Sequence, residues 1–148
     1  MVSIGRSLSL PRALAQGLAV PLLMLVLTLA CSRPVKSEPF VRNDGSGRYG
    51  FSVNMSDSLC TFDLSFYASL PVRNAPSGFP LKVYMTSPGG QVYCESVYFD
   101  ATGSVVKPWR TGLVPVEYGV WNLELMTDET RIYGLGLVCE KKISDGAR

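Results

Sequence analysis

An all-β fold, an antiparallel β-sandwich behind a cleaved N-terminal signal, is what this sequence predicts. Three observations carry it. From Arg48 onward the apolar residues recur with a period of two rather than 3.6. Clusters of Gly, Pro, Asn, Asp and Ser interrupt that alternation at intervals of about 8 to 12 residues. No helical periodicity occurs after the first 30 residues. The outline expected is immunoglobulin-like, with about seven or eight strands in two facing sheets.

The elements follow in order. Residues 1–30 are expected to be removed as a lipoprotein signal peptide. Arg6 and Arg12 form its basic start, residues 18–30 its apolar stretch, and Thr28-Leu29-Ala30 leads into Cys31. The longer run from Ala13 is broken by Gln16, Gly17 and Pro21, so it falls short of the roughly 20 apolar residues of a spanning helix. The pattern resembles that of bacterial lipoproteins, in which cleavage exposes a cysteine that receives diacylglycerol, which makes Cys31 the expected lipidation site, against the alternative of an ordinary signal peptide with an incidental cysteine. Residues 31–47 read as the lipidated cysteine and an extended tether, because Pro34, Pro39 and small polar residues dominate.

The sandwich is expected over residues 48–142, and residues 143–148 as a disordered tail. A short strand at 49–53 ends in Asn54-Met55-Ser56-Asp57. The clearest strand is 59–68, with Cys60, Phe62, Leu64, Phe66 and Ala68 on one face and Thr61, Asp63, Ser65 and Tyr67 on the other. Residues 71–80 read as a loop. Strands at 81–86 and 91–99 flank Ser87-Pro88-Gly89-Gly90, a hairpin signal. A weaker strand at 105–113 contains Pro108. The strand at 119–126 places Trp121, Leu123 and Leu125 inward. In the last strand, 132–141, Gly134 and Gly136 share a face that should lie under a bulky neighbour, with Trp121 the natural candidate.

Composition narrows function. The chain has 14 basic and 12 acidic residues. Two of the basic ones, Arg6 and Arg12, precede Cys31, which leaves 14 − 2 = 12 against 12 and a net charge of zero. Nucleic-acid binding, which depends on excess cations to neutralise phosphates, is not expected. With no His in the chain, Ser-His and Cys-His nucleophile pairs and His metal sites are excluded. No metal site and no cofactor are predicted. Cys60, Cys94 and Cys139 each sit in apolar alternating runs and read as buried thiols. A Cys60–Cys94 or Cys94–Cys139 disulfide is the alternative in an oxidising compartment.

The remaining carboxylates, Asp63, Glu95, Glu117, Glu124 and Glu140, lie on different segments at mostly outward positions. A glycosidase pair would have to converge to within about 10 Å, so no catalytic residues are assigned. Lys107, Trp109 and Arg110 combine two cations with an aromatic and form a candidate binding surface, against the simpler reading of Trp109 tucked under a sheet edge. Six tyrosines, Tyr67, Tyr84, Tyr93, Tyr98, Tyr118 and Tyr133, could serve as stacking platforms or as cross-strand pairs. Asp57-Ser58-Leu59 resembles the acceptor triplet for O-glycosylation in exported Bacteroidetes proteins, which makes Ser58 a candidate modification site.

The order of features also resembles the gliding-motility lipoprotein family of Bacteroidetes (the GldH type). It has a lipid-anchored cysteine, then Phe62-x-Leu64-x-Phe66, then an aliphatic strand ending in Ser87-Pro88-Gly89-Gly90. It closes with Gly119-Val120-Trp121-Asn122-Leu123-Glu124-Leu125, a polar turn and Tyr133-Gly134-Leu135-Gly136-Leu137. That resemblance implies a non-enzymatic sandwich held on a membrane through Cys31, associated with motility or secretion machinery through an envelope protein partner. The sequence after Cys31 favours the periplasmic face of the outer membrane. A carbohydrate-binding accessory lipoprotein is the alternative reading.

Overall fold

The computed structural model describes residues 36–143; the predicted signal and Cys31 lie outside that range, as does the tail from 144. The strands among the described residues are β1 (Lys36–Ser37), β2 (Phe40–Arg42), β3 (Arg48–Met55), β4 (Cys60–Ser69), β5 (Gly78–Thr86), β6 (Val92–Asp100), β7 (Val106–Leu113), β8 (Gly119–Met126) and β9 (Gly134–Ile143). They form two antiparallel sheets. One runs β1-β9-β4-β7, with β2 also on β9, and the other runs β3-β8-β5-β6. The all-β antiparallel sandwich read from the alternation is the fold observed.

Its connectivity is more specific than the sequence allowed. β1 and β2 pair with β9 in one continuous register, Lys36 opposite Glu140 and Phe40 opposite Gly136. They act as a single strand interrupted at Pro39, whose carbonyl still accepts Leu137 N–H at 3.1 Å. The pairs β1/β2 with β9, β3 with β8, β4 with β7 and β5 with β6 are then nested. The chain behaves as one long hairpin whose tip is the turn at 87–91, rolled into two sheets. That is the order of an eight-stranded jelly roll. An immunoglobulin domain instead groups its strands as A-B-E-D and C-F-G, so the sandwich holds and its wiring is of the other kind.

The two inner faces make one core. In β3 and β4 the burial alternates strictly, with Tyr49, Phe51, Val53 and Met55 inside from one sheet and Cys60, Phe62, Leu64, Phe66 and Ala68 from the other. Leu81 and Val83 of β5, Leu123 and Leu125 of β8, and Leu135 and Leu137 of β9 complete it, all at 2% exposure or less. Burial of such side chains contributes roughly 1.5–3 kcal/mol each relative to exposure.

Several local expectations are corrected. Residues 36–42, read as solvated tether, are paired to β9 because Phe40 and Val41 give that stretch an apolar anchor: Val41 packs on the core and Phe40 stacks on Tyr67, ring centroids 5.9 Å apart. The bulky cover over Gly134 and Gly136 is therefore Phe40 and Tyr67, and Trp121 lies in the other sheet. Residues 78–80 belong to β5 rather than to the loop. Phe79 is 2% exposed and stacks on Phe99 at 5.1 Å. Pro80 is tolerated because β5 pairs there with β6 alone, its register with β8 beginning at Lys82. β7 is interrupted, as Pro108 suggested: its pairing with β4 shifts twice, between Phe62 and Leu64 and between Leu64 and Ser65. These are bulges on an edge strand, a device that re-aims side chains.

Candidate functional sites

β7 is where the predicted surface of Lys107, Trp109 and Arg110 falls. The extra residue opposite Leu64 and Ser65 turns Trp109 toward the gap between the sheets, where its ring stacks on Phe66 at 4.7 Å. Trp109 Nε1–H donates to Glu95 of β6, the edge strand of the opposite sheet, and Arg110 pairs with the same carboxylate. The Arg110 guanidinium also lies over the Trp109 ring, 5.2 Å from its centroid. Lys107 donates to the Thr102 carbonyl and faces Asp100 at 3.9 Å. The three residues thus form a clasp that joins the two sheets across their open side. The five carboxylates were expected at mostly outward positions, and Glu95 is an exception. On β6 it instead shares the inward parity of Val97 and buried Phe99, and it is only partly exposed.

Asp63, Glu117 and Glu124 hold strands and loops together in the same way. Asp63 accepts Gly112 N–H at 2.7 Å, at the bulge between Phe62 and Leu64, and pairs with Lys142. That ammonium, followed by the backbone bond, holds the Asp63 carboxyl below its usual range. Gly112 has φ +63°, which favours glycine at the bulge. Glu117 accepts Gly89 N–H at 2.7 Å, tying the 114–118 loop to the hairpin turn. Glu124 pairs with Arg48 at 2.9 Å. Among the described residues no three or more Cys, Asp or Glu gather as a metal-binding group.

A polar surface that the sequence did not single out lies on the outer face of the β3-β8-β5 sheet. Gly50, Glu124 and Tyr84 form one row across three strands, and Ser52, Asn122 and Thr86 the next. Ser52 Oγ–H donates to Asn122 Oδ1 at 2.8 Å. Gly50 meets nothing within 4 Å of where a Cβ would stand, so the face is hollowed at that point. Together with Arg48 these residues line a shallow open depression. The signal was present as polar residues at every second position of three strands, but only the register reveals that they are neighbours.

Ser58 is exposed in the 56–59 turn. Asp57 shapes that turn by accepting Leu59 N–H at 3.0 Å and is held by Lys141, whose ammonium is the main cause of its lowered pKa. Of the three thiols, Cys60 and Cys139 are buried and Cys94 is exposed, all three unbridged. Cys94 departs from the expectation because it sits on the outward parity of β6, opposite Tyr84. Burial pushes the Cys139 thiol up to about 11, with a smaller contribution from Asp63. Cys60 is also raised, mainly by desolvation. Burial thus disfavours the thiolate, the reactive form, at both positions. No protein-family model matches the chain, and no curated protein matches it.

Proposed function

We propose that this chain is a non-catalytic, lipid-anchored protein of the cell envelope that works by binding or assembly, with the acyl group on Cys31 as its membrane attachment. The observation that carries the reading is the commitment of its reactive side chains. Asp57, Asp63, Glu95, Glu117 and Glu124 are each engaged by a cation or an amide that joins one strand or loop to another. Such groups serve the scaffold, and a scaffold of this kind acts through its surfaces. The location proposed is the outer membrane, periplasmic face, with an envelope protein as partner in motility or secretion machinery, as the GldH-type resemblance implies.

The test is replacement of Cys31. In cells fed an alkyne-bearing fatty acid, the parent should be labelled and remain in the membrane pellet, and Cys31→Ser should be unlabelled. A Cys31→Ser protein that still incorporates the fatty acid refutes the anchor. Cross-linking in intact cells followed by identification of captured envelope proteins tests the assembly role.

The depression on the β3-β8-β5 face favours a second reading, a carbohydrate-binding accessory module. Tyr84 offers a ring beside Asn122, Glu124 and Arg48, a mixture of apolar surface and planar hydrogen-bonding groups suited to a sugar. Tyr84→Ala should abolish binding on a glycan array if that reading holds. Absence of any glycan bound by the parent removes it.

A further inference from the structure

We propose that the end of the sandwich formed by the 56–59, 87–91 and 114–118 loops docks against the lipid surface, with its apolar side chains in the interfacial layer. The inference rests on the anchor reading of Cys31 and adds an orientation to it. Two independent features meet at this end.

The first is where the chain enters. β1 runs antiparallel to β9, with Lys36 opposite Glu140 and Arg42 of β2 opposite Gly134. The polypeptide therefore comes in from the side of Ile143, which pairs with Cys60, and travels toward the far end. The 56–59 loop joins β3 to β4 at that same end, and the 114–118 loop joins β7 to β8 there. Lys36 is the fifth residue after Cys31. Fully extended, five residues span at most about 18 Å. A bilayer-embedded acyl group on Cys31 leaves the sandwich no room to turn its far end to the membrane.

The second feature is what the end exposes. Leu59 projects from the first loop, Val114, Val116 and Tyr118 from the third, and Val120 and Ile143 from the strands beside them. Val116 is 75% exposed and Ile143 72%. Behind them Trp121, Met55 and Met85 line a small apolar recess with Pro115. Asp57 is paired with Lys141 and Glu117 accepts Gly89 N–H, so both carboxylates of these loops keep a protein partner at the interface. The opposite end also exposes apolar residues, Val72, Val105 and Tyr133. The chain does not enter there, and this difference selects the docking end. Apolar tips of this sort are expected to sit about 5–10 Å into the headgroup boundary.

The experiment uses the full lipoprotein, extracted from membranes and reconstituted into phosphatidylethanolamine–phosphatidylglycerol vesicles. Cys94→Ala removes the exposed thiol, and a single cysteine is placed at Val116 or at Val72 and labelled with an environment-sensitive fluorophore. The probe at 116 should shift to the blue and be quenched by lipids brominated on their acyl chains. The probe at 72 should keep its aqueous spectrum and escape quenching. Equal, aqueous spectra at both positions in protein that survives an alkaline wash of the vesicles overturn the docking and leave the anchor standing. Protein that washes off overturns the anchor, and the docking with it. Val116→Ser with Val114→Ser, in protein that melts as the parent does, should reduce the quenching of a probe at Tyr118. Unchanged quenching there also counts against the docking.

Discussion

At the scale of single residues, inward parity was legible on β4 and β8 and partners were not. Trp121 was expected in the core from its place among Leu123 and Leu125, and it is 5% exposed. Its Nε1–H donates to the Glu117 carbonyl at 2.9 Å, and its ring meets Tyr93 at 6.0 Å. Neither partner could be read from the strand that carries it, because both come from other segments of the chain. Trp121→Ala should cost about 3–5 kcal/mol, a large share of the 5–15 kcal/mol typical of a domain. A melting temperature close to the parent's would contradict this packing. The thiols make a sharper test of register. In the folded Cys31→Ser protein, a bulky maleimide should modify Cys94 rapidly and leave Cys60 and Cys139 untouched until denaturant is added. Rapid native labelling of Cys60 would mean that β4 had slipped by one residue and turned Asp63 into the core.

At the scale of elements, β4 and β8 followed their alternation and β7 did not. β4 reads cleanly because both its neighbours are strands and its inner face is continuously apolar. β7 reads poorly because two bulges break the period, and the reward for them lies in the preceding strand but in the opposite sheet: the β6 carboxylate of Glu95 that receives Trp109 and Arg110. Glu95→Gln keeps an oxygen for Trp109 and loses the charge that holds Arg110. Because Arg110 and Glu95 retain some contact with water, the loss should be about 1 kcal/mol or less. Glu95→Ala also leaves the Trp109 N–H without its acceptor and should cost about 1–3 kcal/mol. If the two variants melt together, the indole bond adds nothing to the clasp. The outer face of β9 supplies a third case. Gly134 and Gly136 signalled a close approach correctly, yet its source, Phe40 and Tyr67, lies partly in a segment whose prolines resembled a linker. Gly136→Val would drive a side chain into the Tyr67 ring and lift the β1/β2 strand away. Amides of Val41 and Leu137 should then exchange faster, while those of β3 and β8 keep their protection. Uniform loss of protection would show that the strap is integral to the sandwich rather than laid upon it.

For the whole molecule, the fold class was legible because alternation is a local property, whereas the nested pairing of a jelly roll joins residues as distant as 36 and 140 and leaves no mark on any one segment. The response to acid, by contrast, rests largely on carboxylates held by close neighbours in sequence. Glu129 in the 127–133 turn accepts Arg131 Nε–H at 2.9 Å, Nη2–H at 2.7 Å and the Arg131 backbone N–H at 2.9 Å. These bonds, the guanidinium first, lower its carboxyl from 4.5 to about 2. Asp57 and Asp63 are lowered by Lys141 and Lys142, and Asp44 and Asp100 by the hydroxyls of Ser46 and Thr102. A carboxylate depressed in the native state binds its proton more readily once unfolded, so stability rises with pH across the interval between the two pKa values. The contribution of Glu129 is therefore complete above pH 4.5, declines as pH falls, and is gone below about 2. The melting temperature should accordingly fall through that window. Glu129→Gln cannot ionise and should melt below the parent at neutral pH, with a shallower descent and a curve that meets the parent's in strong acid. Two curves that stay parallel from neutrality down to about pH 2 would show that Glu129 is no more tightly held in the folded chain than in the unfolded one.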